Sequence, residues 1–189
     1  MTESLCPPSP CAAWPNTRGP QGLNLWLSTI ALTLFSLTTV FAQTAEAPYN
    51  RLYVTNYLSN NVSVVDLNLG KVTTTIPVGT GPAGMAVAPD LEEVYVANMW
   101  SGTVSVISTD TNTVTATIPI PTFNNPAVPF GLAMMPDGSR VYVTNINDGT
   151  VRVIDTKTQR VTATITAAYD WAMRYIGISP DGQFAWVIG

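Results

Sequence analysis

Gly79-Thr-Gly81-Pro-Ala-Gly84 has the literal spacing of a dinucleotide-binding fingerprint and is the segment that most directly spells a chemistry. That chemistry needs a helix N-terminus just after the glycines, so that free N–H groups meet a pyrophosphate. The next residues are instead Met85-Ala-Val-Ala-Pro89, a short strand-like run stopped by proline. The glycines are therefore read as letting a loop turn sharply in a crowded place, and no nucleotide is expected. Carboxylates offer the next opportunity. Glu92 and Glu93 are adjacent, but neighbours on a strand point to opposite faces and cannot converge as an acid/base pair. Asp90, Asp137 and Asp181 each follow a proline, and Asp66 and Asp155 recur at one strand end; both sets are read as turn formers.

The absence of histidine narrows the chemistry further. Without imidazole there is no Ser-His-Asp or Cys-His mechanism, no usual zinc site and no histidine ligation of a haem. Cys6 and Cys11 lie ahead of an apolar stretch and leave with it if it is cleaved, so no disulfide framework or thiolate site is expected. No catalytic residue, metal or cofactor is expected. What remains is a set of loop residues: Tyr57, Trp100, Phe123, Asn124, Asn125, Tyr169, Asp170, Trp171 and Arg174, with Met99 and Phe130 beside them. Large aromatics next to a few polar groups suit a protein or small-molecule ligand, and packing between structural units is their competing role.

The elements that must carry these loops are repeated. Tyr53-Val-Thr-Asn56, Tyr95-Val-Ala-Asn98, Tyr142-Val-Thr-Asn145 and the weaker Trp186-Val-Ile-Gly189 recur at intervals of 42, 47 and 44 residues. Asp66, Ser108 and Asp155 stand at one shared offset, Val72, Val114 and Val161 at another, and Ile76, Ile118 and Ile165 at a third. Pro-Asp precedes the later copies at Pro89, Pro136 and Pro180. A period of about 40–45 residues with four short strands per unit is the mark of a β-propeller blade. In the middle unit the pattern predicts strand A at Gly84–Ala88, B at Glu93–Asn98, C at Thr103–Ser108 and D at Thr113–Ile120. Asp-Gly at 137–138 and 181–182 marks A–B hairpins, and Ser101-Gly102 and Asp148-Gly149 mark B–C turns. In such a blade the B–C turns and D-to-A loops share one face, where all the length variation and the aromatic loop residues fall. The opposite face carries short polar turns.

These motifs resemble the YVTN-type β-propeller repeat family, over about Arg51 to Gly189. The resemblance implies an all-β propeller of four-stranded antiparallel blades, in exported, periplasmic or surface-layer-like proteins. It is also distantly similar to the propellers of haem d1 nitrite reductases and amine dehydrogenases, but with no histidine their cofactor chemistry does not carry over. The units are read as a partial blade at 51–78, blades at 84–120 and 131–166, and a partial blade at 175–189. That makes about three blades, an incomplete ring, since closed propellers have at least four. The expected explanation is the N-terminal portion of a longer propeller; self-association that closes the ring is the alternative.

Residues 1–42 are read as a leader. Its apolar segment at 23–42 carries no charge, Arg18 precedes it, and Val40-Phe-Ala42 suits signal-peptide cleavage. Left uncleaved, the same segment is long enough to anchor the chain in a membrane. Residues 43–50 form a linker. A secreted or periplasmic, cell-envelope location is therefore expected. With 8 Lys and Arg against 12 Asp and Glu, a net charge of −4 and no basic cluster, no nucleic-acid partner is expected. The favoured function is an exported, non-catalytic binding or cell-envelope scaffold. The alternative is part of a propeller enzyme, of the lactone hydrolase or periplasmic dehydrogenase type, whose catalytic groups lie outside this chain.

Overall fold

The computed structural model describes residues 50–122, 126–166 and 173–189, and over these the chain is all-β with no helix. The leader, its apolar segment and nearly all of the linker lie outside the described residues. The strands are β1 (Arg51–Asn56), β2 (Asn61–Asp66), β3 (Lys71–Pro77), β4 (Pro82–Val87), β5 (Glu93–Asn98), β6 (Thr103–Ser108) and β7 (Thr113–Pro119). They continue as β8 (Pro129–Met134), β9 (Arg140–Asn145), β10 (Thr150–Asp155), β11 (Arg160–Thr166), β12 (Tyr175–Ile178) and β13 (Ala185–Ile188). Within each sheet, chain neighbours pair antiparallel, giving sheets β1-β2-β3, β4-β5-β6-β7, β8-β9-β10-β11 and β12-β13. The two complete sheets are four-stranded and blade-like. Strands B and C of the middle unit fall where the sequence places them. Strand A runs Pro82–Val87 rather than Gly84–Ala88, because Pro82 still pairs with Asn98 beyond a bulge, and strand D ends at Pro119 rather than Ile120.

The apolar runs of the B strands have a double use. Along β5, Val94 and Val96 face one way, into a cluster with Val62, Val64, Ile76 and Ile107. Tyr95 and Ala97 face the other way, into a cluster with Val104, Val106, Ile118, Leu132, Val141 and Val143. A strand whose alternate residues all find apolar partners must lie in a sheet covered on both sides. The second sheet is therefore clasped between the first and third. The first strands of consecutive sheets lie side by side, β4 next to β8 and β8 next to β12.

The turns repeat as faithfully as the strands. Asp90, Asp137 and Asp181 each accept the N–H two residues on, from Glu92, Ser139 and Gln183. The left-handed position in these turns is Leu91, Gly138 and Gly182, with φ of 65°, 72° and 69°. Asp66 and Asp155 cap the C–D turns, accepting from Asn68 and Leu69 and from Thr158. Each of these aspartates uses its Oδ1 to hold the backbone of its turn, which is the turn-forming role the sequence suggests.

One device was not legible. Each D strand carries a bulge that places an unpaired threonine, Thr73, Thr115 or Thr162, opposite the C strand. Its hydroxyl donates to the carbonyl of Val64, Val106 or Val153, at 3.2, 3.3 and 3.3 Å. A bulge bends the strand and strengthens its twist, and the hydroxyl satisfies an acceptor the bulge would otherwise leave open.

Candidate functional site: the face of the B–C turns

Among the described residues the B–C turns and the D-to-A loops share one face. Met99 and Trp100 donate their N–H groups to Gly81 and Thr80, and Ile146 donates to Val128, so each B–C turn is stitched to the loop leading into its own sheet. Asn60 Oδ1 accepts from Gly81 N at 2.9 Å, linking the first sheet's turn to the loop that leaves that sheet. On the opposite face, Thr109 and Thr156 bridge the C–D turns to the A–B turns.

Tyr57 and Trp100 come together on this face, from the B–C turns of consecutive sheets. The Trp100 indole N–H donates to Tyr57 Oη at 2.6 Å. Trp100 is nevertheless 62% exposed and Tyr57 40%. The indole lies against Gly81, where an added Cβ would collide with its Cδ1, and Gly81 has a left-handed φ of 65°. Thr80 and Ser101 join through both a backbone and a hydroxyl contact beside it. The result is an aromatic platform with its polar edge already satisfied, its back against glycine and much of its ring surface in water. Exposed tryptophan fixed in this way is suited to stacking a ligand or anchoring a partner.

The glycine fingerprint now has a steric account. A Cβ at Gly79 would meet the Asn98 side chain, one at Gly81 would meet Trp100, and one at Gly84 would meet the carbonyl of Phe130. Each glycine permits a close approach by a different neighbour, and the element after them is a strand, β4.

Arg174, also exposed, is not part of the platform. Its N–H donates to Ile188 and its carbonyl accepts from Thr144, at the junction of β9 and β12, and no described contact joins it to Tyr57 or Trp100. Phe123, Asn124, Asn125, Tyr169, Asp170 and Trp171 lie outside the described residues. Among the described residues no three His, Cys, Asp or Glu side chains gather as a metal site, and no helix is long and apolar enough to cross a membrane.

Sequence reasoning passed over Arg152. It occupies the strand position held by Ser63 and Ser105 in the other sheets, yet it is fully buried. Its guanidinium reaches Asp148 Oδ2 at 2.7 Å, Thr164 Oγ1 at 2.7 Å and the carbonyl of Pro121 at 3.0 Å. It thus ties the B–C turn, strand β11 and the incoming loop of the third sheet into one cluster on the same face. A cation in a register otherwise filled by serine was the signal available.

No family model and no curated protein matches this chain. Solved structures do, across 1130 chains. One is hydrazine synthase of Kuenenia stuttgartiensis, which aligns with a TM-score of 0.65 at 30% identity. The match covers 71% of this chain and 37% of that one, so the chain spans little more than a third of its solved relative.

Proposed function

We propose that this chain is an exported module of a YVTN-type β-propeller that acts without catalysis, as a binding or cell-envelope scaffold, and that its ligand or partner is taken by the B–C turn face. The observation that carries this reading is the Tyr57–Trp100 platform, exposed yet pinned, on the face where loop length varies. The recurrent aspartates support it from the other side, since those that would be the first candidates for catalysis are committed to turns. Blade-like sheets, the repeated tetrapeptide and the partial coverage of a longer solved relative support a larger ring to which this arc of sheets belongs. The apolar leader supports export.

The test is a binding screen of the full chain against immobilised glycans and peptides. Binding that is lost in Trp100→Ala, but kept in Trp186→Ala, supports the face; equal loss in both variants, or an unfolded Trp100→Ala protein, overturns it. N-terminal sequencing of protein recovered from the medium or envelope tests export, and an intact leader in the cytosolic fraction sinks that part.

A second reading is favoured by the solved relative, which is named as an enzyme. Here the chain is part of a propeller enzyme whose reacting groups lie outside it. Activity that appears only when a partner polypeptide is added, and that survives Trp100→Ala, would select this reading over the first.

A further inference from the structure

Three segments build the Tyr57–Trp100 platform: the B–C turn at 57–61, the loop at 79–82 and the B–C turn at 99–103. None of their residues carries a charge. An anion would meet no cation there, and the negative face of the indole repels it; a cation would meet no carboxylate beside the rings. What the segments supply is hydroxyl and amide. Tyr57 Oη accepts the indole N–H at 2.6 Å and keeps its own proton to donate. The Thr80 and Ser101 hydroxyls lie 2.9 Å apart. Asn60 spends its Oδ1 on Gly81 N, at 2.9 Å, and keeps its NH2 to donate. Gly81 is also the residue against which the indole rests, so amide and ring are neighbours. Trp100 belongs to the middle sheet, which packs apolar residues on both of its faces, so its exposure is not that of a chain end.

We infer that the platform is a subsite for one pyranose ring of a neutral glycan, stacked on Trp100 with its hydroxyls taken by Tyr57 and Asn60. A pyranose is the chemical complement of this surface. Its C–H bonds, slightly positive, meet the negative face of the indole, and the hydroxyls around its rim both give and accept hydrogen bonds. Phenol and carboxamide donate to those hydroxyls, and the Thr80 and Ser101 oxygens do either. A proline-rich peptide is the poorer fit. It docks on aromatic grooves with its main-chain carbonyls seeking donors, and the indole N–H that would meet one is already spent on Tyr57. The inference rests on the reading of this face as a ligand face and adds the class of ligand.

The experiment titrates the full chain with neutral hexamers of glucose, galactose and mannose, and separately with a galacturonate hexamer, choline and a decaproline peptide. The readout is the indole N–H resonance of Trp100, identified by its loss in Trp100→Phe. A neutral hexamer is expected to shift it and to saturate below about 10 mM, with galacturonate at least about tenfold weaker. By calorimetry, Trp100→Phe should weaken that binding about threefold and Trp100→Ala at least about tenfold. Asn60→Asp, which keeps the acceptor for Gly81 N and removes the donor, should weaken it as well, so two variants still decide if Trp100→Ala does not fold. Galacturonate, choline or decaproline binding more tightly than every neutral hexamer, with the Trp100 resonance shifted, overturns the glycan and leaves the ligand face standing. A neutral hexamer that binds equally to all the variants, with the Trp100 resonance unmoved, overturns both. No shift with any probe at about 10 mM overturns the glycan subsite.

Discussion

Thr144 Oγ1 lies 3.1 Å from the main-chain carbonyl of Arg174, across the gap between the third and fourth sheets. The same hydroxyl accepts from Gly131 N at 2.8 Å, so one side chain holds its own sheet's first strand and the next sheet's. Thr55 repeats the outer half of this arrangement, donating to the carbonyl of Ala83 at 2.9 Å. The threonine of the repeated tetrapeptide is thus a clasp between consecutive sheets. The middle copy, which has Ala97 there, does without it.

Thr144→Val keeps the shape of this side chain and removes its hydroxyl, stranding a buried N–H and an acceptor. The expected cost is about 1–3 kcal/mol, read as a lower denaturation midpoint with unchanged m-value. Thr144→Ser should recover part of the loss. Equal destabilisation by Val and Ser would mean that packing, not the clasp, sets the effect.

The clasp works only because the strands approach closely, and glycine makes that approach possible. A Cβ at Gly131 would run into the carbonyl of Arg174, and one at Gly84 into that of Phe130, so backbone must move in both cases. Gly131→Ala and Gly84→Ala should each cost about 1–3 kcal/mol. Gly177 has nothing within 4 Å of a built Cβ, and Gly177→Ala should be neutral or stabilising by up to about 1 kcal/mol. Thermal melts of the three variants decide it, and similar losses at all three positions would refute the close-approach account.

Leu91 sits at φ 65°, in the turn position that Gly138 and Gly182 occupy in later copies. A left-handed non-glycine residue costs about 1–2 kcal/mol, against about 0.5–1 kcal/mol for the extra freedom glycine loses on folding. The strain is the larger of the two, so Leu91→Gly should stabilise the fold by about 0.5–1 kcal/mol. A fall in Tm would show that the half-exposed leucine side chain contributes more by packing than its backbone costs.

Much of this was legible in the sequence, and the division has a physical cause. Strand alternation, Pro-Asp turns and the tetrapeptide register are local signals, so β5 and β6 fall where the pattern puts them and Asp90, Asp137 and Asp181 hold the turns expected of them. The partners of Thr144, Gly84 and Trp100 are set by how one sheet meets the next, and no local pattern encodes that meeting. Tyr57 and Trp100 both stand out in the sequence as loop aromatics, but their mutual hydrogen bond spans 43 residues. Arg174 shares a loop class with them and belongs instead to the β9–β12 junction. Arg152 and the bulge threonines each broke or filled a repeat position, which a position-by-position comparison of the copies could have shown.

Asp137, Asp155 and Asp181 are held below the ordinary carboxylate range, by the Ser139 N–H, by the Thr158 hydroxyl and by the Ser179 hydroxyl respectively. A carboxylate whose folded pKa is depressed contributes stability above its unfolded value, near pH 4, and loses it as the pH falls further. Denaturant midpoints should therefore drop below about pH 4. Replacing all three by asparagine, which preserves the turn acceptor, should flatten that limb, and an unchanged acid limb would place the sensitivity elsewhere.

Tyr95 titrates in the opposite sense. Burial, first, and then the hydrogen bond it donates to Glu93 Oε2 at 2.6 Å push its phenol far above the ordinary tyrosine range. Glu93 also accepts from Gln159 of the third sheet at 3.2 Å, so this phenol sits in a contact between sheets. Above about pH 10 the unfolded chain releases the phenol proton while the folded chain keeps it, so the unfolded state binds fewer protons and stability falls as pH rises. Below that pH the contribution is fully present. Tyr95→Phe should lower stability at neutral pH by about 1 kcal/mol, through loss of its hydrogen bond to Glu93, and should shrink the alkaline slope. Denaturant unfolding of both proteins from neutral pH to about pH 11 separates these effects, and parallel alkaline limbs would show that Tyr95 is not the group whose proton the fold retains.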